Sequence, residues 1–212
     1  MEEKQNDKIK FKYLLFLILL LVFVIIWIGI STGIMQSFDN CIYEAVKNIR
    51  TDILTSVLRV ITELGGTVGL FFIALITVMI MFILKKRRYA IGIILNLLIS
   101  SITYVILKNI FQRTRPPIEE RLIEESGYSF PSGHSTNNMA FYAFAIYLIY
   151  SNVKNKKIRN ILCVLLGAIP ILIGFSRIYL RVHYASDVIA GFSLGIMLVI
   201  IFTSFIYKRI KE

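Results

Sequence analysis

The chain is short of the residues that mark soluble, cross-linked or metal-bound proteins. Only 17% of its 212 residues are charged, below the roughly 25% of an ordinary soluble domain. It has two cysteines and two histidines. Cys41 falls in a polar connection and Cys163 inside an apolar run, which excludes a disulfide framework. No Asp/Glu/His cluster of metal-ligand type stands in the polar connections, so no metal and no cofactor are expected. Internal repeats and low-complexity tracts are missing as well. No small-residue cleavage site follows the N-terminal apolar run, which reads as a retained helix rather than a signal peptide.

What the chain has in quantity is apolar sequence. Hydrophobic residues make up 57% and the mean hydropathy is +0.72, which places the chain in a bilayer. Crossing the hydrocarbon core takes about 20 mainly apolar residues. Runs of that kind are Tyr13–Ile34, Val68–Leu84, Tyr89–Ile110, Ile158–Phe175 and Val188–Tyr207, with a sixth from Ser132 to Tyr150 whose first turn is polar. The expected fold is all-α, a single domain over residues 1–212, polytopic, with six transmembrane helices and short interfacial helices.

The net charge of +11 is a topology signal. Basic clusters at Lys4, Lys8, Lys10 and Lys12, at Lys85–Arg88, at Lys154, Lys156, Lys157 and Arg159, and at Lys208, Arg209 and Lys211 occupy the termini and alternate connections. By the positive-inside rule these are cytoplasmic, as are both termini, and that side then holds 15 basic and 4 acidic residues against 9 and 9 outside. No positive charge is left over to suggest nucleic acid.

Two outer segments remain. Phe38, Ile42, Ala45, Val46 and Ile49, and then Ile53, Leu54, Val57, Leu58 and Ile61, recur at helical spacing on either side of a cap at Thr51 or Asp52. They fit amphipathic helices at the interface, or helices packed over the outer mouth of the bundle. Gly65-Gly66 marks the turn into the second span. Gln112–Phe130, with Pro116-Pro117 and four glutamates, reads as a solvated loop.

Three polar groups fall on that outer face. Lys108 and Arg115 are seven apart, one face of a helix continuing to Pro116; taken alone, Lys108 also fits a snorkelling cation. Pro131-Ser132-Gly133-His134 opens the fourth span, where freed backbone N–H groups make an anion site, or an ordinary N-cap. Ser176-Arg177, His183 and Asp187 lie between the last two spans. Four residues apart, Asp187 can hold the His183 imidazole in the tautomer that frees its other nitrogen as a nucleophile, and it can also cap the sixth span. Arg177 offers a planar fork for phosphate oxygens. Arg113 and Arg181 are expected as rim charges. Both histidines thus converge on one face although their segments are far apart in the chain.

The pattern Lys108-x6-Arg115-Pro116, Pro131-Ser132-Gly133-His134 and Ser176-Arg177-x5-His183-x3-Asp187 resembles the three-part signature of the type-2 phosphatidic acid phosphatase superfamily. The resemblance implies that His183 attacks phosphorus and forms a phosphohistidine, with Asp187 orienting it. It further implies that His134 protonates the leaving oxygen, and that Lys108, Arg115, Arg177, Ser132 and the Gly133 N–H hold the phosphoryl oxygens, without a metal. Soluble vanadate-dependent haloperoxidases share the pocket, and the spans argue against that branch.

The expected function is a multi-pass cell-membrane phosphatase whose extracytoplasmic active site hydrolyses lipid phosphates or diphosphates presented by the bilayer. The resemblance points to phosphatidylglycerol phosphate, phosphatidic acid or undecaprenyl diphosphate as substrates, and the Phe38–Ile61 region is similar to that of the first and last of these groups. A lipid-phosphate transporter and a lipid phosphotransferase are the alternatives. The broken helices and inverted repeats that would favour transport are not visible.

Overall fold

The computed structural model describes residues 2–207 and Ile210. Lys208, Arg209 and Lys211, the last of the expected basic clusters, lie outside the described residues. The helices are α1 (Glu2–Ser31), α2 (Met35–Lys47), α3 (Asp52–Leu64), α4 (Thr67–Ile83), α5 (Arg87–Phe111), α6 (Gly133–Asn152), α7 (Lys156–Tyr179) and α8 (Ala185–Ile201). A π-helical stretch, Phe202–Ile206, prolongs α8, and no strand occurs among the described residues.

Among the described residues, four helices are long and apolar enough to cross a bilayer: α1 over Lys10–Ser31, α5, α7, and α8 with its extension to Phe205. The pair α3–α4 passes as a fifth only if taken together, and it is bent by 55° at Gly65-Gly66. The expected six crossings are therefore only partly matched. With 17 residues, α4 reaches about 26 Å, short of the roughly 30 Å hydrocarbon core, and α6 begins with the polar turn Gly133–Asn138. Outward faces of the long helices carry Leu17, Leu21 and Ile28 on α1 and Val164, Leu165 and Leu172 on α7, the apolar exterior that lipid demands.

The bundle is organised around α6, which packs on α5, α7 and α8. Its closest partner is α8, because glycines remove the side chains that would keep the two apart. A methyl group at Gly191 would lie 2.9 Å from the Ser132 carbonyl oxygen, and one at Gly195 would lie 2.7 Å from that of Thr136. Small residues at such a crossing let two backbones meet where lipid supplies no hydrophobic drive. Leu70, Ala74, Ile93, Phe144, Ile173 and Phe202 form the central core, and Phe23 and Ile26 of α1 meet Phe130, Leu194 and Met197 in a second.

The helices between the first run and α4 are packed over the bundle. Thr51 is the N-cap of α3, its hydroxyl accepting the Leu54 N–H at 3.2 Å. The buried faces differ from the expected apolar stripes. On α2 they are Asp39, Tyr43 and Val46, while Phe38, and Ile49 in the turn beyond the helix, are exposed. On α3 they are Leu58 and Thr62, while Ile53 and Val57 are exposed. Ile42, Leu54 and Ile61 of those stripes still pack half-buried on the bundle, and Asp39 and Thr62 turn inward beside them, the first to Ser186 and Arg113 and the second to Arg177. Val46 and Leu58 close a third core with Tyr179, Leu180 and Val182.

Candidate active site

The C-terminal ends of α5 and α7 and the N-terminal ends of α4, α6 and α8 meet at one end of the bundle. A cavity of about 100 Å³ opens there, walled by Gly66, Lys108, Arg115, Glu125, His134 and His183 among others. Three parts of the chain that are distant in sequence thus come to one place.

His183 is not on the same helix as Asp187, as spacing alone suggested. It lies in the turn Leu180–Tyr184, and α8 begins after it. The i, i+4 contact survives because the turn folds back on the first helical residues: His183 Nδ1 is 3.3 Å from Asp187 Oδ2. Asp187 is the third residue of α8 rather than its cap, and the same oxygen accepts the Tyr184 N–H at 2.9 Å and a short hydrogen bond from the Ser129 hydroxyl. On the other side of the ring, Arg115 Nη1 stands 3.1 Å from His183 Nε2. A guanidinium only donates, so Nε2 accepts and the proton sits on Nδ1, facing Asp187. That tautomer puts the Nε2 lone pair on the cavity side, where Arg115 donates to it. Burial, reinforced by Arg115, Lys108 and Arg177, holds the imidazole far below the ordinary histidine value of 6.5, so the ring is neutral.

Arg115 does not continue a helix from Lys108. α5 stops at Phe111 because Gln112 turns left-handed (φ 48°), and Arg115 comes from the loop beyond. Backbone carbonyls fix it: Val182 O at 2.8 Å, Ser126 O at 2.9 Å and Gly127 O at 3.0 Å accept from the guanidinium. Burial, helped by Arg177, lowers its affinity for a proton to about 10, and Glu125 opposes the shift. Lys108 Nζ donates to the carbonyls of Tyr128 and Ser129.

Arg177 lies in the last turn of α7 and is almost fully buried, donating to Thr62 Oγ1 at 2.8 Å and pairing closely with Glu125. Its Nε is buried without a partner among the described residues. A second cavity of about 350 Å³, walled by Thr62, Glu63, Ile123, Glu125, His134 and Arg177 among others, adjoins the first through Glu125 and His134. Gly133 and His134 line the first cavity from the start of α6. Ser132, in contrast, is fully buried and turned to its own helix, where it is the N-cap and its oxygen accepts from Ser135.

Several residues of the site were not singled out from sequence, and two arginines expected at the rim turn inward. Glu125 is the least expected: its carboxylate sits between Arg177 and Arg115 (3.7 Å from the latter), where an anion's oxygens would lie. The loop holding it is not merely solvated, since Leu122 N bonds Leu180 O and Ser129 N bonds Arg113 O. Arg113, expected at the rim, has a side chain only 10% exposed and bridges Asp39 (2.7 Å) and Asp187 (2.6 Å). Arg181 is also buried, stacked 3.5 Å from the Tyr43 ring centre and paired with Glu120 at 2.8 Å. Both turned inward because buried carboxylates or aromatic faces on other segments offered partners that spacing within one segment does not reveal. Among the described residues no group of three or more His, Cys, Asp or Glu side chains is placed to share a metal ion.

The same stretch of chain is matched by a family model, that of the PAP2 superfamily, over residues 89–211. A curated relative, phosphatidylglycerophosphatase B of Bacillus subtilis, is 35% identical over 173 residues, covering 80% of this chain and 83% of that protein. The chain belongs to the PAP2 superfamily. Dolichyldiphosphatase of Saccharomyces cerevisiae is 31% identical over 121 residues, 54% of this chain and 50% of the yeast protein. Among solved structures, the transmembrane PAP2-type phosphatidylglycerolphosphate phosphatase of Bacillus subtilis superposes with a TM-score of 0.83 at 34% identity, covering 91% of this chain and 96% of that one. Aquifex aeolicus LpxE superposes at 0.64 with 24% identity over 77% of this chain and 93% of its own, a likeness of fold. All three motif groups of this PAP2 protein lie inside the span matched by the family model.

Proposed function

We propose that this PAP2 protein hydrolyses phosphate from a lipid phosphate or diphosphate through a phosphohistidine on His183. One observation carries the reading: a neutral, buried imidazole with Nδ1 on Asp187 and Nε2 beside Arg115, facing a cavity shared with Lys108 and His134. Nε2 attacks phosphorus, the bond to the leaving oxygen breaks, and His134 gives that oxygen a proton. Water then attacks the phosphohistidine with His134 taking its proton, which releases phosphate and restores His183. Lys108, Arg115, Arg177 and the N–H of Gly133 at the start of α6 balance the charge on the phosphoryl oxygens, the work a divalent ion does elsewhere. Ser132 holds the helix start that presents that N–H.

The lipid part of the substrate is supported by a neighbouring apolar groove of about 400 Å³ between α4 and α5, lined by Phe71, Ala74, Ile93 and Leu97. It shares Thr67, Leu70 and Asn137 with the polar cavity, so a headgroup and its tail fit side by side. The names of the relatives favour phosphatidylglycerol phosphate, and the yeast diphosphatase favours a prenyl diphosphate as the second reading. In a bilayer the chain makes six crossings, with both termini cytoplasmic and the cavity outside. The short α4 spans by continuing from the bent α3, and the polar turn of α6 stays in the protein-lined mouth.

Detergent-purified protein given a panel of lipid phosphates and diphosphates tests the reading. Phosphate release is expected from at least one, with none from His183→Ala, and full turnover by that variant would end the proposal. Addition of EDTA is expected to leave the rate unchanged.

A further inference from the structure

Behind the nucleophile lies a second buried charge cluster that the reaction above does not use. Asp39 of α2, Arg113 of the loop after α5, and Ser186 and Asp187 of α8 come from three separate segments. Asp39 Oδ1 accepts the Ser186 N–H at 2.9 Å, and Oδ2 accepts the Ser186 hydroxyl and Arg113 Nη2, each at 2.7 Å. Arg113 Nη1 reaches Ser186 Oγ at 2.8 Å and Asp187 Oδ1 at 2.6 Å, and its plane lies 4.0 Å from the Tyr184 ring centre. Asp39, Ser186 and Asp187 are all at most 1% exposed.

A lone Arg113 beside Asp187 would be a poor neighbour for catalysis. It would neutralise the carboxylate whose charge must meet the positive charge that appears on the imidazole when Nε2 bonds to phosphorus. Asp39 changes the balance. Two carboxylates and one guanidinium leave the cluster with a single net negative charge, held out of water where it acts strongly. The guanidinium also fixes Asp187 Oδ1, leaving Oδ2 turned to His183.

We propose that Asp39 and Arg113 are positioning residues, a buried pair that orients Asp187 and keeps the cluster one negative charge in excess, so that His183 can become cationic as it takes the phosphoryl group. The proposal rests on His183 as the nucleophile. It also gives α2 a role: that helix carries a charge into the site and serves as an outside cap for α8.

The test compares wild type, Asp39→Asn, Asp39→Glu and Asp39→Asn/Arg113→Gln in detergent. Phosphate release from dioctanoyl phosphatidic acid and calorimetric binding of orthovanadate are measured, the latter because vanadate bonds to the same nitrogen. Asp39→Asn leaves a cluster of no net charge, so kcat and vanadate affinity should both fall about tenfold or more, with KM within about twofold. Asp39→Glu, which keeps the charge, should recover much of the loss. The double variant removes one charge of each sign and restores the net negative, so it should exceed Asp39→Asn in kcat and vanadate affinity.

A folded Asp39→Asn with unchanged kcat and vanadate affinity would overturn the proposal, as would a loss confined to KM or a double variant whose losses simply multiply. If Asp39→Asn does not fold, the double variant is compared with wild type directly, and an inactive, well-folded double variant overturns it. Failure of the wild type both to release phosphate and to bind vanadate would instead sink the parent reading.

Discussion

At the scale of single residues, the site separates two histidines by what surrounds them. His183 has a carboxylate on one nitrogen and a guanidinium beside the other, while His134 opens α6 between the two cavities. Replacing His134 with alanine is therefore expected to cripple lipid monoesters, whose leaving oxygen needs a proton, and to spare p-nitrophenyl phosphate, whose leaving group does not. Equal losses on both substrates would remove His134 from the acid role. Glu125 makes a different prediction. Its carboxylate competes with phosphate for Arg177 and Arg115, so Glu125→Gln should lower KM about threefold or more by raising the fraction of sites ready to bind. A higher KM would make Glu125 a support for the arginines instead.

The neutral His183 ring also has a pH signature. Its midpoint in the folded chain lies below the ordinary 6.5, so between the two values the unfolded chain binds a proton that the folded chain refuses. Stability from this residue is complete above 6.5 and is lost as pH falls from there toward the folded midpoint. Nitrogen-15 spectra of the imidazoles, of which there are two, should show the resonance that disappears in His183→Gln still neutral well below pH 6.5. An ordinary titration near 6.5 would contradict the buried, cation-flanked environment.

At the scale of helices, the catalytic geometry depends on how closely α6 and α8 approach. The Ser132 N–H bonds the Asp187 carbonyl at 3.1 Å, so the start of one helix is tied to the start of the other. Gly195→Val would drive a side chain into the Thr136 backbone and push the pair apart. Overpacking of this kind costs about 1–3 kcal/mol, and a shift of His134 relative to His183 should reduce kcat as well. A lower thermal midpoint together with lower kcat is expected; wild-type values in both would mean that the contact relaxes without moving the site.

At the scale of the whole molecule, the expected placement in the membrane comes from charge asymmetry and is open to direct labelling. With cysteine introduced at Asn155 or Glu120 in a background lacking Cys41 and Cys163, a membrane-impermeant reagent applied to intact cells should modify the Glu120 position and leave Asn155 untouched. Labelling of Asn155 from outside would invert the topology and move the site to the cytoplasm. The bend of 55° between α3 and α4 belongs to this scale too, since it carries Thr62 onto Arg177 while Gly66 stays at the cavity wall.

Apolar run length determined α1 and α4 to α8, because a buried or lipid-facing backbone must bond within its own segment, and helical spacing marked α2 and α3. Boundaries slipped where one residue decided them: Gly33 with φ 78° ends the turn after α1, and Gln112 stops α5 short of Arg115. Lys108, Arg115, His134 and His183 at the first cavity, Arg177 at the second and Asp187 behind His183 were also legible, since they belong to motifs with fixed local spacing. Asp39, Thr62, Glu125 and Ser129 were not. Asp39 shares a helical face with Tyr43 and Val46, a hint that an acid was headed inward, but nothing local named Arg113 as its partner. Pairing of buried charges between distant segments depends on which ends of which helices meet, and periodicity within a segment carries no record of that. Tertiary structure decided it, drawing Arg113 and Arg181 inward and setting a glutamate between the arginines of the candidate phosphate site.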